Sequence, residues 1–250
     1  MILDRYTTFA EVINVINSIT PNSVKEQQHG GGHVGIRFVH SYFPISINEQ
    51  EFNYMHDVIV SNNLKTGFEL GTGTGVSTMS IGLAMKKTGG HLITLDSYYE
   101  EVTQKSIDIP EGTSVNQEQI KNVKGWQFVS IIMEKLNLRN TVRQCAGWSP
   151  TDSIRLLKNN QPLDFVFLDC PKSLNEIRRD VTYLKQFVNK DKFIIFIHDI
   201  NDTDYRKMVN NMLMDLCGWE LFYKEEYYVG SPYYKKIAYP IHFVNHNCKL

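Results

Sequence analysis

Two stretches of this sequence concentrate residues that can do chemistry, and each places them at the end of an apolar run. The first is Glu69-Leu70-Gly71-Thr72-Gly73-Thr74-Gly75. Glycines at a strand-to-helix turn let the backbone bend sharply and let a ligand approach the main chain. The spacing here is G-x-G-x-G. A dinucleotide-binding turn wants its third glycine where this chain has Val76, and a phosphate-cradling loop wants a Gly-Lys-Ser/Thr that is missing. A carboxylate at Glu69 repels a pyrophosphate but pairs with a cation. The expected ligand is therefore a nucleoside bearing an ammonium group. Leu95-Asp96 follows about 20 residues beyond the glycines, where an acid can accept hydrogen bonds from ribose hydroxyls. The competing readings are a glycine turn that only packs and an Asp96 that only caps its turn.

The second stretch is split. Leu163 to Lys172 carries Asp169 at the end of an apolar run, and Phe193-Ile194-Ile195-Phe196-Ile197 leads into His198 and Asp199. Strands delivering these acids are expected to be neighbours, with their carboxyl ends on the rim where open α/β sheets bind ligands. Paired carboxylates at one rim repel each other unless a proton or a cation lies between them. A hard divalent cation such as Mg²⁺ suits oxygen ligands, and it would hold and acidify a substrate hydroxyl.

The elements that must position these residues can be read from hydrophobic spacing. Residues 4–19 read as a helix capped by Asp4, residues 21–46 as irregular, and residues 47–63 as a helix with Phe52, Met55, Val58 and Ile59 on one face. Strands are expected at 67–70, 91–96, 141–146, 163–169 and 192–198, separated by helices at 75–87, 118–138, 150–159 and 173–188. A helix at 203–216 follows, then strands at 219–226 and 235–244. Residues 97–125, with Pro110 and Gly112, read as an insertion that shapes a pocket. Strands alternating with helices imply a mostly parallel sheet, and the last two strands, with no helix between them, form an antiparallel hairpin.

Glu69 to Gly75 followed by Asp96 resembles the class I S-adenosylmethionine (SAM)-dependent methyltransferases over about residues 47–244. The resemblance implies an α/β fold: a Rossmann-like, doubly wound, mostly parallel seven-stranded sheet with a C-terminal antiparallel hairpin and an N-terminal helical cap. It divides the chain into an N-terminal helix and lid-like loop at 1–46 and a methyltransferase domain at 47–250. It implies that Glu69 lies near the methionine ammonium, that Gly71, Thr72, Gly73 and Gly75 line the cofactor, and that Asp96 and Ser97 hold the ribose. The turn Ala146-Gly147-Trp148-Ser149 would meet the adenine, with Ser149 bonding the base and Trp148 stacking beside it; Asp169 would touch the cofactor side.

The second cluster resembles the metal-dependent O-methyltransferases, both the catechol type and a group acting on sugar hydroxyls of natural products. That resemblance implies Asp169, His198 and Asp199 as metal ligands. Where the catechol type has an Asn ligand after the second acid, this chain has Ile200, with Asn201 and Asp202 as substitutes. Lys172 stands where the catechol type carries its general base, and His198 is the alternative base. Asn175-Glu176-Ile177-Arg178-Arg179-Asp180 reads as a helix with its charges exposed. The expected activity is methyl transfer to a small-molecule hydroxyl, with SAM and Mg²⁺ as cofactors. The alternatives are a metal-free N- or C-methyltransferase, an inactive SAM-binding module and a nicotinamide oxidoreductase.

With 26 Lys+Arg against 27 Asp+Glu, the net charge of −1 gives no global footprint for nucleic acid. Asp169-Cys170-Pro171-Lys172 stands where amino methylases of nucleic acids carry Asn/Asp-Pro-Pro-Tyr. No apolar run reaches about 20 residues, so no membrane span is expected. Cys145, Cys170, Cys217 and Cys248, without metal-like spacing, read as reduced thiols of a cytoplasmic protein. His29-Gly30-Gly31-Gly32-His33 reads as a lid loop, with His33 or His40 able to reach substrate. Tyr98 and Tyr99 border the pocket insertion, and Tyr227, Tyr228, Tyr233 and Tyr234 form a rim or a contact between two copies. A homodimer paired through the N-terminal helices is a further expectation.

Overall fold

The computed structural model describes residues 9–19, 47, 49–97, 125–169, 173–200, 202–224 and 241–250. Two helices come first, α1 (Phe9–Ile19) and α2 (Glu49–Ser61). Then β1 (Thr66–Leu70), α3 (Val76–Thr88), β2 (His91–Asp96), α4 (Gly125–Lys135), β3 (Val142–Ala146), α5 (Thr151–Leu157) and β4 (Phe165–Leu168) alternate. The chain continues through α6 (Leu174–Leu184), β5 (Phe193–Ile197) and α7 (Thr203–Cys217) to β6 (Phe222–Lys224) and β7 (Ile241–His246).

The strands form one seven-stranded sheet in the order β3-β2-β1-β4-β5-β7-β6. The first five pair in parallel, and β7 pairs antiparallel with both β5 and β6. The final pair is thus the expected antiparallel hairpin, with β7 laid against β5. β7 runs on to His246, past the expected end at 244, because Phe193 to Ile197 pairs with His246 to His242.

Every residue of β1, β4 and β5 is buried, as a strand covered on both faces requires. Alternate residues feed two cores. Phe165, Phe167, Ile194, Phe196 and Phe243 face α1 to α4, whereas Phe68, Leu70, Val166, Leu168, Ile195 and Ile197 face α5 to α7. Each large apolar side chain so buried contributes roughly 1.5–3 kcal/mol. Helix α1 joins the first core through Phe9, Val12 and Ile16, and Phe9 meets Phe52 of α2 edge to face at 5.3 Å.

The strand order reverses between β1 and β4, so their carboxyl ends border a crevice, the usual ligand position in such sheets. Among the described residues no helix is long and apolar enough to cross a membrane, and Cys145, Cys217 and Cys248 are unpaired thiols.

Candidate active site at the β1–β4–β5 rim

The glycine turn is braced from below. Glu69 is fully buried at the end of β1, and its two carboxylate oxygens accept from the Ser77 and Thr78 hydroxyls, each at 2.6 Å. Both hydroxyls sit in the first turn of α3, so the carboxylate ties β1 to the start of that helix. Burial drives the Glu69 pKa up to about 7, against the pull of the Ser77, Thr78 and Thr94 hydrogen bonds and with a smaller push from the Asp169 charge. Glu69 and Asp169 therefore feel one another across the crevice. Thr72 is buried as well, with its hydroxyl 2.5 Å from that of Thr94, so its side chain faces the interior of the turn.

Gly71, Gly73 and Gly75 all have left-handed φ values, 93°, 49° and 87°. A Cβ on Gly75 would press on Val129 at 3.1 Å, whereas one on Gly73 would meet nothing within 4 Å. The turn is thus packed on the helix side and open at Gly73, the point where a ligand can approach the main chain. The Gly73 N–H donates to Asp96 Oδ2 at 2.9 Å, which fixes the acid at the end of β2 against the turn. Ser97 follows it, half-buried.

Trp148 stands out on the turn after β3 with 60% of its surface exposed, and its backbone N–H donates to Asp152 Oδ2 at 2.9 Å. The preceding residue, Gly147, donates its N–H to the Asp96 carbonyl at 2.9 Å, which sets this turn beside the end of β2. The neighbouring Ser149 hydroxyl donates to Asp180 Oδ1 and lies 3.0 Å from the Tyr183 hydroxyl. Ser149 thereby anchors the turn to α6. This corrects the expectation that the charges of 175–180 are all exposed: Asp180 is only 1% exposed, burial raises its pKa, and its partners Ser149 and Arg179 offset part of that cost. Glu176 instead closes a capping box with Ser173 at the start of α6.

Across the crevice, Asp169, His198 and Asp199 converge, with one ligand atom of each lying within 4.8 Å of the others. β4 and β5 are neighbours, which brings their carboxyl ends together. His198 Nδ1 is 2.8 Å from Asp169 Oδ1 and 3.3 Å from Asp199 Oδ1. Asp199 adopts a left-handed φ of 63°, a sharp turn out of β5 that non-glycine residues seldom take. The other ring nitrogen, Nε2, faces Glu51 Oε1 of α2 at 3.5 Å. Burial alone would lower the His198 pKa, but Asp169 and Glu51 outweigh it and hold it well above the ordinary histidine value.

Glu51 was not among the residues expected here. The signal was present, since it precedes Met55 and Val58 at helical spacing and all three are buried. An acid on the apolar face of a helix needs a partner.

The donor set fits a divalent cation. Atoms held cis on an octahedral ion with bonds of about 2.1 Å lie roughly 3.0 Å apart. The 2.8 Å contact of His198 Nδ1 with Asp169 Oδ1 is itself a hydrogen bond, whose proton a cation held by these atoms would replace, and Asp199 Oδ1 lies 3.3 Å from the same nitrogen. Of the two expected substitutes, Asp202 caps α7 by accepting from the N–H groups of Asp204 and Tyr205, and Ile200, at the position of the catechol type's Asn ligand, is buried in the core. Asn201, Lys172, Cys170, the His29–His33 loop with His40, Tyr98 and Tyr99 with the 98–124 stretch, and Tyr227, Tyr228, Tyr233 and Tyr234 lie outside the described residues.

A family model described as a methyltransferase domain matches residues 68–200. No curated protein matches the chain. Among solved structures, the O-methyltransferase of Bacillus cereus in complex with SAH is 15% identical, with 98% of this chain and 94% of that one covered at a TM-score of 0.57. TomG, the Streptomyces achromogenes O-methyltransferase involved in tomaymycin synthesis, is 13% identical, with 98% of both chains covered at 0.55. The precorrin-6y C5,15-methyltransferase of Geobacter metallireducens is 11% identical, with 81% of this chain and 91% of that one covered at 0.54. At these identities the likeness is one of fold. The family match spans just over half of the sequence, so the chain belongs to the methyltransferase-domain family, with the class I SAM-dependent fold and a resemblance to O-methyltransferases.

Proposed function

We propose that this protein transfers a methyl group from SAM to the hydroxyl of a small molecule, with a divalent cation, Mg²⁺ by resemblance, at the Asp169–His198–Asp199 cluster. The observation that carries this reading is adjacency. The braced glycine turn after β1 and the acid–histidine cluster after β4 and β5 border one crevice, and the Asp169 charge reaches Glu69 across it. A methyl donor on one side and an acceptor oxygen on the other would meet there. The names of the Bacillus cereus enzyme and TomG, both O-methyltransferases, support the choice of oxygen, and their bound SAH and SAM support the choice of donor.

In this reading the open backbone at Gly73 and the carboxylate of Asp96 hold the nucleoside, and Trp148 covers the adenine. Gly71, Gly75 and Ser97 shape the same wall, Ser149 holds the adenine turn from below, and Glu69 braces the glycine turn against α3. Bound SAM supplies a sulfonium-activated methyl group, and a bound divalent cation acidifies and orients the acceptor hydroxyl. Asp169, His198 and Asp199 present the donors for that cation. Both ring nitrogens of His198 face carboxylates, which counts against His198 as the base, and by resemblance to the catechol type Lys172 takes the proton.

The test is transfer of labelled methyl from SAM to a panel of catechols and hydroxylated sugars, with Mg²⁺ or with EDTA. The expected result is a methyl ether that EDTA suppresses and Mg²⁺ restores. Turnover insensitive to chelator, or label on nitrogen or carbon, would overturn the reading. Tight SAH binding with no turnover on any acceptor would replace it with a SAM-binding module.

A further inference from the structure

We infer that Glu51 of α2 is a positioning residue for the cation site: it receives the Nε2–H of His198 and so turns Nδ1 toward Asp169 and Asp199 as a ligand. The inference rests on the cation-site reading above and adds to it a residue from outside the span matched by the methyltransferase-domain family. The geometry is directional. Glu51 Oε1 lies on the Nε2 side of the ring at 3.5 Å, while Asp169 Oδ1 and Asp199 Oδ1 lie on the Nδ1 side at 2.8 and 3.3 Å. A ligating imidazole needs one bare nitrogen for the ion, and its other N–H commonly goes to a carboxylate that fixes the tautomer and the ring plane. Glu51 occupies that outer position. It is buried on the apolar face of α2, and the Phe167 ring, 5.9 Å from that of His198, helps wall the imidazole.

The consequence is a mixed centre of two carboxylate oxygens and one imidazole nitrogen. Nitrogen ligation favours first-row transition ions over Mg²⁺, which prefers an all-oxygen shell. Co²⁺ is a suitable probe, because its visible absorption reports both uptake and ligation.

The experiment is titration of the full chain with Co²⁺, followed by absorption, for wild type, Glu51→Gln and Glu51→Asp, with SAH affinity and the far-ultraviolet circular dichroism spectrum as checks on folding. The expected result is Co²⁺ affinity lowered roughly 10- to 100-fold in Glu51→Gln, an altered band shape, partial recovery in Glu51→Asp and SAH affinity kept within a few-fold. Unchanged Co²⁺ affinity and band shape in a folded Glu51→Gln protein would overturn the positioning role and leave the cation reading standing. Failure of the wild type to take up Co²⁺ or Mg²⁺ while it binds SAH would overturn both. Nitrogen NMR of the Zn²⁺-loaded wild type gives an answer that needs no variant: the proton must stay on Nε2 of His198, and a proton on Nδ1 would refute the inference.

Discussion

Replacing Glu69 with Gln separates the cost of a buried charge from the value of the hydrogen bonds around it. Burial holds the folded-state pKa at about 7 against 4.5 for a free glutamate, and the carboxylate is fully buried, so solvent screening takes nothing from the effect. Between those two values the native state holds a proton that the unfolded chain has released. Stability therefore falls as pH rises through this window and levels off above pH 7. At about 1.4 kcal/mol per pKa unit, the loss between pH 5 and pH 8 is about 2.5 kcal/mol. Glu69→Gln keeps the shape and an acceptor oxygen for one of Ser77 and Thr78, but it does not ionise. Urea unfolding of both proteins from pH 5 to 8, without ligand, should show the variant near or slightly below wild type at pH 5 and about 2 kcal/mol above it at pH 8. A stability difference that stays flat across this range would refute the assignment of a raised pKa to Glu69. A variant less stable at every pH would show that the hydroxyl contacts, and not the charge, dominate.

Three further outcomes follow from the same geometry. Gly73→Ala places a side chain at a φ of 49°, costing roughly 1–2 kcal/mol, and puts the new Cβ in the open space of the turn; chemical denaturation should show this modest loss, and calorimetry a larger loss of SAH affinity. Trp148→Ala removes an exposed ring, so unfolding should shift by less than about 0.5 kcal/mol, while SAH binding should weaken roughly tenfold if the ring stacks on adenine. Asp202→Ala removes the cap of α7 and should cost about 1 kcal/mol in stability with metal uptake unchanged; lost uptake would return Asp202 to the cation site.

The alternation of short apolar strands with amphipathic helices made the sheet readable, because each βαβ unit is local. The glycine turn was readable for the same reason: Gly71 to Gly75 and the helix they open are contiguous. Asp169, His198 and Asp199 were found because they follow short apolar runs rich in Phe, Ile and Val, whose length and composition favour a central strand with its end at the rim. What the sequence concealed are contacts between distant segments. Glu51 meets His198 only because α2 lies over the ends of β4 and β5. Asp180 looked like one more surface charge until α6 docked it under the turn at Ser149.

The bracing of Glu69 was half visible. Its position before the glycines marked it as part of the site, but the distribution of its hydrogen bonds to Ser77 and Thr78 depends on how closely α3 packs on β1. Asp202 shows the opposite error. Spacing alone made it an acid near other acids, yet a helix began one residue later and took its carboxylate as a cap.

The central claim is that one crevice holds both a SAM site and a cation site. Calorimetric titration of SAH, and of Mg²⁺ and Co²⁺, into wild type and an Asp169→Ala/Asp199→Ala double variant tests it most directly. The account predicts that both proteins bind SAH with affinities within a few-fold and that only the wild type takes up the metal. SAH binding with no metal uptake by the wild type would contradict the cation site, and no SAH binding by the wild type would contradict the cofactor site on which the rest stands.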